Sequence, residues 1–236
     1  MRSIVQRLGA LSLLVVFSFA LVACGNKEAD QRKAFATFLQ TRVLDKPGIR
    51  VPALSAEEKA SFGDYAQHYA VITDFNEGMN KSEGQPMTQI IAKGGLRSVS
   101  DLVSRRDDIK AAKDGLAGLR TALDQQTTTA DAAHAQLKQP DDLKQVYDKA
   151  YEKTVTVPST TFKEVFPALD TMFDSALAVG SYIEQNKSKI QISGSTVSVT
   201  DPAVQTELNK RLQQLNSQST AIKAAQQKLQ MVVRGA

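Results

Sequence analysis

DLVSRRDDIKAAKDGLAGLRTALDQQTTTADAAHAQL, residues 101–137, decides the fold class. Leu102, Ile109, Leu116, Leu123, Ala130 and Leu137 recur every seven residues, with Ala112, Leu119 and Ala133 on the adjacent row. A strand alternates with period two, so this spacing reads as a long helix carrying one heptad seam. Ser98 or Ser100 supplies its N-cap and Pro140 ends it. Gly115 and Gly118 lie inside. Each costs a helix about 1 kcal/mol relative to Ala, which predicts a close backbone approach or a bend there.

A second seam closes the chain. Asp201 as N-cap and Pro202 at the first helical position start a helix with Leu208, Leu215, Ile222 and Leu229 at heptad spacing, assisted by Val204, Leu212 and Val232. At 1.5 Å per residue the 98–138 helix would be about 60 Å long and the 202–233 helix about 48 Å. The two could therefore cover each other's seams within one chain, which predicts a monomeric ectodomain and not a homodimer.

Elsewhere the helical period continues. Phe35, Phe38, Leu39 and Val43 share a face, and Lys46-Pro47-Gly48 breaks that helix. Ser55 with Glu58, and again Thr161 with Glu164, spell capping boxes. The first opens a helix with Phe62, Tyr65, Tyr69, Ile72, Phe75 and Met79; the second precedes Phe166, Leu169, Phe173, Ala176, Val179 and Ile183. Asp141-Asp142 starts a shorter helix with Leu143, Val146, Tyr147, Ala150 and Tyr151. The piece around Ile90-Ile91, between 82 and 97, has no assignable pattern. Ile190–Val199 alternates apolar and polar about Gly194-Ser195, a hairpin that pairs Ile192 with Val197 and Ile190 with Val199. After residue 23 all 12 Phe and Tyr lie at 35–75 or 147–182. The expected architecture is all-α: an elongated helical bundle with long heptad-bearing helices, an aromatic-centred base and one small β-hairpin, forming a single domain over 29–236.

The first 28 residues read differently. Arg2 and Arg7 precede a 16-residue apolar run, Leu8 to Ala23, too short to span a bilayer and suited to a signal peptide over 1–23. The run ends Leu21-Val22-Ala23-Cys24-Gly25, a bacterial lipobox, and Cys24 is the only Cys of the 236 residues. Cys24 is the expected lipidation site, taking a diacylglycerol on sulfur and an acyl chain such as palmitate on its amino group. Several acyl chains at about 0.8 kcal/mol per methylene anchor far beyond one myristoyl group. Gly25, where Asp would signal inner-membrane retention, makes the outer membrane, periplasmic face, the expected address. The tether Gly25–Glu28 spans roughly 15 Å at most, so the body should sit against the leaflet.

Arg2 and Arg7 leave with the signal peptide and no acid does, so 27 basic face 25 acidic residues, a net charge of +2. That near-neutral balance gives no support to a nucleic-acid partner. His68 and His134 are distant in sequence and Cys24 is committed to lipid, so no spaced metal pattern can be written and no metal or cofactor is expected. No catalytic motif is recognised. Asp131, three residues before His134, could orient its imidazole, but a surface pair is the simpler reading. Arg105, Arg106, Lys110 and Lys113 are interleaved with Asp107, Asp108 and Asp114, the pattern of a solvated face laced by i,i+3 and i,i+4 pairs.

Asp30-Gln31-Arg32-Lys33-Ala34-Phe35 followed by Phe38-Leu39-Gln40 forms one familiar stretch. Asp131-Ala132-Ala133-His134 with Leu137-Lys138-Gln139, Asp141-Asp142-Leu143-Lys144, Val146 and Asp148 forms another. With Cys24 at their head, they resemble the YiaF-like family of enterobacterial lipoproteins, a domain of unknown function. The resemblance implies a Gram-negative periplasmic lipoprotein with a helical body, and supplies no catalytic residue, substrate or partner. The expected function is a non-enzymatic binding or scaffolding module for another periplasmic protein. The alternative is a small-molecule or lipid-binding protein with an aromatic-lined cavity between helices.

Overall fold

The heptad row is buried, and it runs through two different cores. In the computed structural model, which describes residues 27–81, 98–194 and 196–235, Leu102, Ile109, Leu116, Leu119 and Leu123 belong to one apolar cluster and Ala130 to another. The signal peptide, Cys24, Gly25, Ser195 and the Ile90-Ile91 piece lie outside the described residues.

Helix α1 covers 27–38 and winds on as a π-helical turn over Leu39–Leu44. Helix α2 (Ala56–Phe62) starts at Ser55 with both halves of the capping box in place, at 2.8 and 3.1 Å. Helix α3 (Tyr65–Met79) follows. A short α4 (Asp101–Ser104) is separated by Arg105 from α5 (Arg106–Ala135). Ser98 and Asp101 cap α4 reciprocally, at 3.1 and 3.3 Å. Helix α6 (Asp141–Tyr151) opens with Asp141 and Asp142 in its first turn, where the helix dipole favours them. A π turn (Glu152–Thr156) joins it to α7 (Val157–Gln185), strands β1 (Ile190–Ser193) and β2 (Thr196–Val199) form the hairpin, and α8 (Pro202–Arg234) closes the chain. This is an all-α bundle with one small antiparallel pair. No helix among the described residues is long and apolar enough to cross a membrane.

The lower tier is aromatic. Phe35 is fully buried, with ring centroids of Phe62, Tyr65, Tyr69 and Tyr147 at 5.4, 6.1, 6.4 and 6.3 Å. The upper tier is aliphatic, built from the α5 row with Val179, Ile183, Val204 and Leu208, and it also takes Phe166 and Phe173. The expected aromatic base is therefore only part of the ring distribution, because α7 carries its own Phe residues upward.

Two expectations need correcting. The seams of α5 and α8 do not chiefly cover each other; α7 is the main neighbour of both. Helix α5 runs antiparallel to α7, tied by Arg106–Ser181 at 2.9 Å, Lys113–Asp174, Arg120–Asp170, and Asp124–Lys163 at 2.8 Å. Arg106 and Lys113 thus reach across helices, and the Arg105–Asp108 pair at 3.2 Å is the local kind that interleaving predicted. Helix α8 runs down the same α7, with Arg211 over the Tyr182 ring and Lys228 paired to Glu164.

The Thr161 capping box is the second correction. The chain does not restart there: Thr161 is buried inside α7, its Oγ1 donating to the Val157 carbonyl at 2.9 Å. The π turn keeps the backbone helical from α6 into α7, and Pro158, at the start of α7, removes one donor from the ladder. The Asn76 amide helps satisfy the carbonyl of Thr154 at 3.4 Å. Of the two readings for the internal glycines, close approach does not apply at Gly118, where a Cβ would meet nothing within 4 Å. A close approach between helix backbones is found at Gly180, where a Cβ would lie 2.2 Å from the Leu102 carbonyl oxygen.

The hairpin follows the expected register, Ile190 opposite Val199 and Ile192 opposite Val197, with Gly194 at φ +60°. Its polar residues point outward, and its apolar residues pack on the upper core. Asp201 accepts from the N–H groups of Ala203 and Val204 at 2.9 and 3.2 Å and pairs with Lys189 at 2.7 Å. Those bonds, Lys189 first, hold its carboxyl below the usual range.

Candidate functional site

Two arrangements stand out: a polar cluster around both histidines at the base, and a junction in the lower third of the bundle where three chain segments converge. The histidines are distant in sequence, yet α3, α5 and α6 bring both to Tyr147. The Tyr147 hydroxyl donates to the His68 carbonyl at 2.7 Å, and the His134 ring lies 5.5 Å from that of Tyr147. The partner of His134 is Asp148, at 2.8 Å from Nε2, not Asp131. Asp131 instead accepts from Tyr151, at 2.7 Å, whose ring stacks on His134 at 4.1 Å. An i,i+3 spacing puts Asp131 and His134 on one face, but α6 presents a better-aimed carboxylate. An ionised carboxylate only accepts, so His134 Nε2 is the donor. Burial pulls the Asp148 carboxyl up, but bonds from Lys144, at 2.6 Å, and His134 outweigh it and hold the group below its ordinary range.

His68 is the opposite case. Burial lowers its pKa below 6.5, only partly offset by Asp64, and its Nδ1 meets Gln139 Nε2 at 3.0 Å. An amide N–H donates, so Nδ1 accepts, as a neutral ring can. With the folded pKa below the unfolded one, the unfolded chain takes up the proton first, and stability is lost as pH falls below about 6.5. His68→Gln should flatten that slope between pH 7 and 5 (roughly the histidine range), read as the midpoint of urea unfolding against pH. An unchanged slope would remove His68 as its source.

Among the described residues the histidine rings hydrogen-bond only to Asp148 and Gln139, and the aromatic side chains spend their faces on one another. Tyr65, bonded to Glu28, is pushed up to about 12 by burial first and that carboxylate second. Burial raises Tyr69 and Tyr147 further.

The junction is built from backbone. Lys153, on the π turn, sends its ammonium to the carbonyls of Val43, Leu44 and Lys46, the first two at 3.0 and 2.9 Å. It thus closes the C-terminal end of α1, where a cation meets the helix dipole. Helix α8 ends against the next turn: the Ile49 N–H donates to the Val233 carbonyl at 3.1 Å, and Gly235 turns away at φ +73°. A Cβ on Gly48 would lie 2.4 Å from the Val233 oxygen, and one on Gly235 would lie 2.0 Å from the Gly48 nitrogen. Only glycine allows this approach.

A groove of about 350 Å³ runs beside this contact, lined by Gly48, Lys149, Glu152, Lys153, Val157, Val232 and Gly235. The large apolar residues most exposed among those described are Val157 at 39%, Met231 at 52% and Val233 at 47%, all at this junction. Lys46, Arg50, Lys149 and Arg234 flank it, exposed and without an acidic partner among the described residues. Sequence reasoning missed this face, although one signal was present. Met231-Val232-Val233 is a run of three apolar residues, and a helix can turn only one of them into its seam.

The fold defines the class, an elongated all-α bundle of two cores with a small hairpin. The chain belongs to the family described as Protein of unknown function (DUF3053), whose model matches residues 10–230. It is similar to the proteins called Uncharacterized protein YiaF of Escherichia coli K12, Escherichia coli O157:H7 and Shigella flexneri. Each is 32% identical over 215 residues, covering 91% of this chain and 90% of theirs. No solved structure matches it. The two stretches that carried the resemblance meet at the base, where Arg32 pairs with Asp142 at 3.5 Å and Phe35 packs on Tyr147.

Proposed function

We propose that the protein is an outer-membrane lipoprotein, acylated on Cys24 and sorted by Gly25, whose helical body is a non-enzymatic binding module in the periplasm. The observation that carries the binding reading is the junction face: three exposed apolar side chains framed by four cations that have no acidic partner among the described residues, beside a groove that Glu152 also lines. Exposed apolar surface rimmed by charge is the usual form of a protein contact site. The charge pattern suits an acidic partner segment that also offers apolar side chains. The runner-up, a ligand held among the aromatic rings, fits less well, because those rings pack against one another.

The anchor is tested by Cys24→Ala, which should abolish incorporation of labelled fatty acid and release the protein from the membrane fraction. Persistent labelling would sink the lipoprotein reading. The face is tested by a photoreactive side chain at Met231 in living cells, with Lys187 near the hairpin as control. A discrete adduct from 231 alone, lost with Val233→Glu, is the expected result; equal adducts from both positions would remove the face from consideration.

A further inference from the structure

The base and the tip of the bundle are far apart, and the anchor lies at one of them. Among the described residues the chain enters at Lys27, already helical, three residues after Cys24. Three residues span about 11 Å at most. The start of α1 is pinned to the starts of α3 and α6: Glu28 accepts from the Tyr65 hydroxyl, Gln31 lies over Gly63, and Arg32 pairs with Asp142. Gln139, at the turn below α5, reaches His68. Four segments therefore end together on one small face, within a tether's length of Cys24.

From that face the backbone stays helical from Asp141 to Gln185, which at 1.5 Å per residue is about 65 Å. Every cross-helix tie along it is consistent with one direction of travel. Lys153 meets the end of α1, Lys163 meets Asp124, Asp174 meets Lys113, and Ser181 meets Arg106. The hairpin lies beyond Gln185, at the opposite end from Lys27.

We infer that the face formed by residues 27–31, 63–68 and 138–142 is the surface that rests on the lipid leaflet, and that the bundle stands on it with the hairpin as its membrane-distal tip. This rests on the proposal that Cys24 is acylated, since the acyl chains fix which end is low. The occupant of the basal face is the leaflet's headgroup layer, because no other surface lies within a tether's length of the acylated residue.

The charge on that face agrees with a seat held by its tether. Within those bounds Lys27 and Lys138 are outnumbered by Glu28, Asp30, Asp64, Asp141 and Asp142, so anionic lipid adds no attraction there. The competing pose would lay the bundle on its side, with Val157, Met231 and Val233 in the interface and Lys46, Arg50, Lys149 and Arg234 on anionic headgroups. That pose would consume the junction face. The upright one leaves it facing the periplasm in the lower third of the bundle.

The experiment uses full-length protein, acylated in cells and reconstituted in vesicles of phosphatidylethanolamine and phosphatidylglycerol with an acceptor dye on the headgroups. Cys24 is the only native Cys and is blocked by lipid, so one introduced Cys takes the donor dye. Gln67→Cys marks the base, Gln227→Cys the side and Ser193→Cys the tip; all three positions are exposed. Energy transfer should be severalfold stronger from 67 than from 193, with 227 between them. A Gly-Ser insertion before Lys27 should lower transfer from 67. Equal transfer from 67 and 193, or the strongest transfer from 227, would overturn the upright seat. A protein that neither carries fatty acid nor floats with the vesicles would overturn the anchor, and this inference with it.

Discussion

Phe35→Ala should destabilise the protein by about 3–5 kcal/mol, the range for removing a fully buried ring. Phe35 touches four other aromatic rings contributed by α2, α3 and α6. Its loss opens a cavity at the point where those helices meet, and edge or tilted ring contacts add to the area term. The rings around it are held by hydrogen bonds, Tyr69 to the Pro52 carbonyl at 3.0 Å and Tyr147 to the His68 carbonyl, so they cannot collapse freely into the gap. For a chain of this size each kcal/mol moves Tm by about 2–4 °C, so a fall of roughly 6–20 °C is expected in a thermal melt. A change below about 1 kcal/mol, ordinary for surface positions, would mean that the lower tier is not packed around this ring.

Gly180→Ala and Gly118→Ala are the same chemical change in two helix interiors, and they should move stability in opposite directions. Propensity alone favours Ala by up to about 1 kcal/mol in both. At Gly118 nothing stands in the way, so Ala should stabilise by something near that amount. At Gly180 the new methyl meets the backbone of α4, which cannot swing aside like the end of a side chain. Overpacking of that kind costs about 1–3 kcal/mol, enough to exceed the propensity gain and loosen α4 from the top of α7. Urea unfolding of the two variants against the parent protein reads the difference. Stabilisation by Gly180→Ala would show that α4 does not approach α7 as closely as the backbones here require.

Read alone, residues that act on near neighbours were often reliable guides, although the Thr161–Glu164 box, spelled like Ser55–Glu58, lies inside α7 and starts no helix. The Ser55–Glu58 capping box, the Asp201-Pro202 helix start and the Ile190–Val199 register each depend on bonds within a few residues, so local chemistry decided them. Heptad rows told which faces are buried. They did not tell which faces meet, because apolar attraction has no direction: a Leu stripe on α5 or α8 is satisfied by any complementary stripe, and α7 serves both. The same gap explains His134, whose nearest carboxylate in sequence is Asp131 but whose partner comes from α6. It explains Lys153, an ordinary surface lysine by sequence, which in the fold closes α1 more than a hundred positions away. The junction face is tertiary in origin for the same reason. Gly48 marks a turn in the sequence, but only the path of α8 down α7 sets that turn against Gly235 and leaves Met231 and Val233 beside Val157 in solvent.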